Sequence, residues 1–329
     1  MDKSILDYFI YAFSRLHRDM KKGGAPHKPI LLLSLLHEYE LGRIEANRIY
    51  ITPELTHSFS VYWSNLVETD HSIGFALPFY HLSSEKGSWW RLVPNPGCEI
   101  WLENKGSMKT FGNLTAAVSC AELDPNLASL LLKKETRQAL REVLLMTYFP
   151  NSQSQIDIRE DGYVSGLRNE IVEESPTEYR AKIMNLKTRL DPETYQVEVY
   201  NRGTIFRREV VKIYDQTCCI SGLRVSATFT ITMVDACHIV PFATNFDNSL
   251  TNGIALCPNL HRAFDRGLIT VSDDYRVMLS SAFTENEASP FSFQQINGQQ
   301  INLPVSERFY PSLVGFTWHR KNVFKGLDK

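Results

Sequence analysis

The stretch 234-VDACHIVPFATNFDNSLTNGIALCPNLHRAFDRG-267 crowds two histidines, two cysteines, three aspartates and four asparagines between apolar runs. A zinc knuckle needs four thiolate or imidazole ligands, usually as two pairs spaced Cys-x-x-Cys or Cys-x-x-His. The two runs that could hold such pairs read Cys218-Cys219-Ile220-Ser221 and Cys257-Pro258-Asn259-Leu260. Each keeps its first member and lacks its second, so no structural zinc is expected. A redox pair is equally unsupported without a Cys-x-x-Cys. Cys218 and Cys257 read as buried apolar thiols.

What remains is a histidine on a strand (His238 in "ACHIVPF"), an asparagine (Asn252 in "TNGIALC") and a histidine opening a helix (His261 in "LHRAFDRG"), in the order strand, loop, strand, helix. Strand alternation puts Asp235 and Cys237 on one face and Ala236 and His238 on the other. Asp265, Arg266 and Gly267 read as the end of the helix and its cap.

This order, with the "CISGL" turn at 219–223, "NGIALCPNLH" at 252–261 and "FDRG" at 264–267, resembles the HNH endonucleases, which share the ββα-metal fold. The resemblance runs from Phe206 to about Val271. It implies metal-dependent hydrolysis of DNA phosphodiesters, and the residue types suit that chemistry. A water must be activated near neutral pH, the range in which an imidazole exchanges its proton, so His238 is the expected general base. The leaving oxygen and the crowded phosphorus gather negative charge that one divalent cation, Mg²⁺ or Mn²⁺, can neutralise. By resemblance His261 is a metal ligand, and Asn252 belongs to the loop that orients the base or helps hold the metal. Many HNH enzymes carry a metal-binding Asp immediately before the base, where this chain has Cys237. Magnesium prefers oxygen ligands, so Asp235, the nearest carboxylate, is the candidate ligand. Its place on the strand face opposite His238 leaves the second oxygen ligand open.

Around this core lie 329 residues, 43% hydrophobic and 22% charged, enough for two globular domains. Asp2 and Asp7 stand where a secretory signal would be basic, and the apolar run Ile30 to Leu36 is too short to cross a bilayer. The expectation is a soluble protein of the bacterial cytoplasm with reduced cysteines and no membrane partner. A net charge of −2 offers no global attraction to a polyanion, so any nucleic-acid contact must come from local basic clusters.

The fold class expected is α+β: a mainly helical N-terminal reader domain with a short β hairpin over residues 1–150, an acidic linker over 151–205, and a ββα-metal nuclease domain over 206–329. Helices fit the spacing of Ile5, Phe9, Phe13 and Leu16, the run from Pro26 to Gly42, "PELTHSFSVYWSNL", Asn126 to Leu132 and Thr136 to Tyr148. Between Asp157 and Glu178 seven acidic residues face two arginines, which reads as linker, with a helix near Glu178 to Leu190.

Two features of the first domain suit an anionic ligand. "GGAPHKPILLL" places Pro26 and Pro29 in the opening turn of a helix, with His27 and Lys28 beside free backbone amides and Lys21 and Lys22 just upstream. "FALPFYHLSSEKGSWWRLVP" mixes rings and cations: Leu77, Pro78, Phe79, Tyr80, His81, two tryptophans and Arg91. Together they resemble the sulfur-binding domain that precedes HNH modules in restriction endonucleases specific for phosphorothioate DNA. That resemblance implies a shallow apolar pocket around Pro78 for the non-bridging sulfur, with basic residues on neighbouring phosphates. Sulfur is more weakly hydrated than oxygen, so contact with a proline ring costs it less. Family members often have an aromatic residue before this proline and a small one three positions after it, where this chain has Leu77 and His81.

The reading is therefore a modification-dependent endonuclease acting on double-stranded, backbone-modified DNA, with a homodimer expected for double-strand cleavage. The alternatives are an HNH enzyme that extrudes a modified base such as methylcytosine, and a modified-DNA-binding protein whose nuclease has decayed.

Overall fold

A computed structural model describes residues 3–103, 108–151, 162–225, 232–285 and 292–326. The chain divides into two compact units, one of Met1–Val164 with Asp191–Glu198, the other of Ser165–Leu190 with Val199–Lys329.

The first unit holds α1 (Lys3–Ser14), α2 (His27–Glu40), β1 (Arg48–Ile49), α3 (Pro53–Leu66), α4 (Ala76–His81), β2 (Trp90–Pro94), α5 (Glu99–Glu103), α6 (Phe111–Ala117), β3 (Val118–Leu123), α7 (Pro125–Leu131) and α8 (Lys134–Tyr148). Helix α2 is apolar on nearly every side: Ile30, Leu31, Leu32, Leu33, Leu35 and Leu36 are all buried, as expected of a helix at the centre of a core. Thr52 caps α3 by accepting from the Leu55 amide, and Pro53 fills the position where a missing N–H costs nothing. The short hairpin anticipated near Trp90 is instead the edge of a three-stranded antiparallel sheet, ordered β1-β3-β2. Its partner β3 lies about thirty residues downstream and pairs Trp90 with Leu123 and Leu92 with Ala121. The Pro-Gly turn after β2 leads away from the sheet, which is why a local hairpin does not form.

The 151–205 segment also departs from expectation. Residues 152–161 lie outside the described residues, but the rest is helical: α9 (Tyr163–Glu173), α10 (Pro176–Arg189) and the long α11 (Pro192–Ile213). Leu167 and Ile171 on α9, and Tyr179 and Ile183 on α10, are buried one turn apart. The acidic residues are paired: Glu170 with Arg202 and Lys182, Glu209 with Arg168, Glu173 with Arg308. Ser175 and Glu178 close a reciprocal capping box at the start of α10. Most of the supposed linker is thus a helical part of the second unit.

That unit continues with β4 (Asp235–His238), α12 (Phe242–Asn245), β5 (Gly253–Leu256), α13 (Pro258–Asp265), β6 (Ile269–Val271), β7 (Val277–Leu279) and α14 (Leu313–Asn322). Strands β4 and β5 form an antiparallel pair, and β6 and β7 another. Gly253 stands opposite His238, and a Cβ there would come within 2.5 Å of Val210 and 2.8 Å of Phe206. Only glycine lets α11 approach the hairpin so closely. The fold is α+β, helix-rich with small sheets and a C-terminal ββα unit.

Candidate active site

Strand β4 ends at His238, whose ring lies flat on Phe206 of α11, centroids 4.1 Å apart and planes 14° apart. Its Nε2 is 2.8 Å from Asn248 Oδ1. A carboxamide oxygen only accepts, so Nε2 carries the proton. Burial pushes the His238 pKa below its usual value, and the bond to Asn248 acts in the opposite sense. The ring is therefore a neutral imidazole with its lone pair on Nδ1. Asn248 is itself buried, and its Nδ2 donates to the Tyr179 hydroxyl at 3.1 Å. Phe206, Asn248 and Tyr179 carried no signal in the sequence reading, although all three touch the base or its support.

Asn252 is buried and reaches only backbone. Its Oδ1 accepts from the Val240 amide at 2.9 Å, and its Nδ2 donates to the Val240 carbonyl at 2.9 Å and the Asp247 carbonyl at 3.0 Å. It ties the end of β4 to the loop that carries Asn248.

Helix α13, packed on β4 and β5, presents His261. Asp235 Oδ2 is 3.8 Å from its Nδ1, and Asp265 Oδ2 is 3.4 Å from its Nε2. Both carboxylates are more than half exposed. Asp265 is the last residue of α13, as expected, and its carboxylate also joins this group. Cys237 lies beneath it with its thiol 3.7 Å from Asp265 Oδ1, and ligand atoms of Cys237, His261 and Asp265 fall within 4.8 Å of one another. Burial, with the neighbouring Asp265 carboxylate, raises the Cys237 pKa well above normal, so this sulfur is a protonated donor. Asp235 and Asp265 stand at opposite nitrogens of the ring, so the convergent group is His261, Asp265 and Cys237, whose imidazole and carboxylate oxygen suit a hard divalent cation.

At 218 and 257 the two thiols hydrogen-bond to each other, and the Ser221 amide donates to Cys218 at 3.5 Å. Ser221 stands where a knuckle would have its second cysteine. Gly267, at φ +71°, turns the chain so tightly that a Cβ would meet the Val323 carbonyl at 2.0 Å.

In the first unit, Leu77, Pro78, His81, His27 and Lys28 line one cavity of about 550 Å³. His17 and Arg18, which the sequence reading passed over, line it too. Arg18 also lies over the Tyr148 ring, 4.3 Å from its centroid. Several expected contacts change role. Lys28 is buried in an ion pair with Glu85 and donates to the His17 carbonyl at 2.9 Å, so its charge is already matched. Phe79 and Tyr80 face the core, the Tyr80 hydroxyl donating to the Leu102 carbonyl at 2.7 Å. Arg91 pairs with Glu122 across the sheet. Lys22 donates to the Asp70 carbonyl at 2.8 Å, and neither it, Lys21 nor Arg91 lines the cavity. His27 donates from Nε2 to the Ser72 carbonyl at 2.9 Å, and burial lowers its pKa.

The paired strands β4 and β5 with α13 across them form a ββα unit that carries one histidine on its first strand and one on its helix. Residues 218–272 match the HNH endonuclease family, so the second unit carries an HNH endonuclease domain. Among solved structures, a modification-dependent TagI restriction endonuclease is similar at 20% identity, with a TM-score of 0.26, over 36% of this chain and 37% of that one. The chain thus covers little more than a third of that protein. No curated protein matches it. Among the described residues, no helix is long and apolar enough to cross a membrane.

Proposed function

We propose that the chain cuts double-stranded DNA bearing a backbone phosphorothioate, read by the first unit and cleaved by the second. In the second unit His238 Nδ1 takes the proton of the attacking water. Phe206 and Asn248 hold the ring, Tyr179 holds Asn248, and Asn252 fixes the loop beneath them. His261 and Asp265 would hold a divalent ion, Mg²⁺ or Mn²⁺, with Asp265 supplying the carboxylate that position 237 lacks and Asp235, at the ring's other nitrogen, orienting His261. When bound, that ion supplies charge neutralisation for the phosphate and the leaving oxygen. Cys237 keeps its proton and steadies Asp265.

The observation that carries the reader half is the 550 Å³ cavity, which sets the Pro78 ring and Leu77 beside His17, Arg18 and His27. Apolar carbon favours a poorly hydrated sulfur, and the nitrogen-bearing side chains around it favour the anionic backbone. The Lys28–Glu85 pair already matches the lysine's charge, which supports Arg18 as the cation of the proposed reader. The test is cleavage of one plasmid prepared in hosts with and without phosphorothioation, and with and without cytosine methylation. Cutting confined to the phosphorothioated plasmid is the expected result. Cutting that follows methylation would transfer the reading to base extrusion.

A further inference from the structure

Helix α13 turns about 100° per residue, so His261 and Asp265 share one stripe and Arg262 and Arg266 share the adjoining one. The arginines are exposed, and neither guanidinium meets a carboxylate among the described residues. They line a groove of about 620 Å³ with Asn259, Phe293, Gln295 and Gln299. A cation near a helix C-terminus stabilises that end, which accounts for one basic residue there, but not for a pair opening into a groove walled by amides, an aromatic ring and aliphatic side chains.

We propose that this groove receives the DNA strand flanking the cut, with Arg262 and Arg266 on consecutive phosphates and Phe293 and the amides against the sugars between them. The inference rests on the nuclease domain and not on what the first unit reads. A chain of net charge −2 must draw DNA with local clusters, and this cluster directly adjoins the carboxylate–imidazole group. Arginine is suited to phosphate because its planar fork donates two parallel hydrogen bonds. Side-chain amides and an aromatic edge can lie against the sugar–phosphate backbone without selecting a sequence.

The experiment is an anisotropy titration of the full chain carrying His238→Ala, on one duplex with and without a phosphorothioate, across salt concentrations from about 50 to 200 mM. Each lost phosphate contact lowers the slope of log affinity against log salt by about 0.9. Arg262→Gln with Arg266→Gln is expected to lower that slope by about 2 on both duplexes, and Arg262→Lys with Arg266→Lys to keep most of it. Thermal melts of each variant establish that the domain is intact. An unchanged slope in the glutamine variant overturns the proposal, as does a lysine variant indistinguishable from it, since charge would then not be the operative property. A slope change alike on both duplexes supports the groove even if the sulfur reading fails.

Discussion

His238 Nε2 and Asn248 Oδ1 sit 2.8 Å apart, and this contact fixes which nitrogen of the base is free. His238→Ala should therefore lower the cleavage rate by about 10²–10⁴-fold, the usual cost of a lost general base, while DNA affinity stays near wild type. Single-turnover kinetics beside a binding titration checks both halves. Near-normal cutting would remove His238 from the role.

Asn248 orients the ring and raises its pKa against the lowering effect of burial. Because the net shift is downward, the base stays unprotonated below the ordinary imidazole value, and the acid limb of the cleavage rate should fall below pH 6.5. Asn248→Ala should move that limb further toward acid and lower kcat with little change in KM. Arg207 and Asp247 also act on the ring, and His261 more weakly, so the profile is best taken at fixed ionic strength. A limb that does not move would show that Asn248 serves the loop alone.

Chelation should stop cleavage, and Mg²⁺ or Mn²⁺ should restore it. Asp265→Asn and Asp235→Asn should each weaken Mn²⁺ binding by calorimetry, by roughly tenfold or more if the carboxylate is a ligand or orients one. If Asp265→Asn leaves affinity untouched, Asp235 and His261 hold the ion without it.

In the reader cavity, Pro78→Glu sets a charge against the place of a weakly hydrated sulfur and should erase the preference for phosphorothioate over plain duplex. Leu77→Glu, at an exposed lining position, should do the same with less risk to folding. Competition between paired oligonucleotides gives the answer, and a retained preference in both variants would move the sulfur site elsewhere.

His319 is buried beneath α13, its Nε2 donating to the Phe264 carbonyl at 3.1 Å and its Nδ1 accepting from Thr270 at 2.9 Å, and its pKa falls to about 4, chiefly through burial. The unfolded chain binds this proton near pH 6.5 and the folded one does not, so the contribution is complete above 6.5 and is lost as pH falls toward 4. The loss is on the order of 3 kcal/mol. His319→Gln should flatten the acid side of the stability curve measured by denaturant melts.

His238, Asn252 and His261 are legible in sequence because each sits in a distinctive local context of strand, turn and helix start. Asn248 and Asp265 are not. An asparagine beside serine reads as a turn, and an aspartate before Arg-Gly reads as a helix end; only the packing of α13 on β4 turns Asp265 toward His261. Helices α9 and α10 are hidden for a different reason. Each buries a single narrow stripe, Leu167 with Ile171 or Tyr179 with Ile183, and some of the cations that neutralise their acids are distant in sequence, Arg202 and Arg308 among them. The middle strand β3 escapes notice because its neighbours in the sheet are not its neighbours in the chain.

The close approach at Gly253 has a consequence for portability. The wall behind the His238 ring is Phe206, and the hydroxyl behind Asn248 is Tyr179, both contributed ahead of residue 218, where the family match begins. Grafting residues 218–272 onto another scaffold would carry the histidines across and leave the imidazole unsupported. The shortest transferable cutter from this chain must start ahead of Leu167, so that α9, α10 and α11 travel with the hairpin they brace.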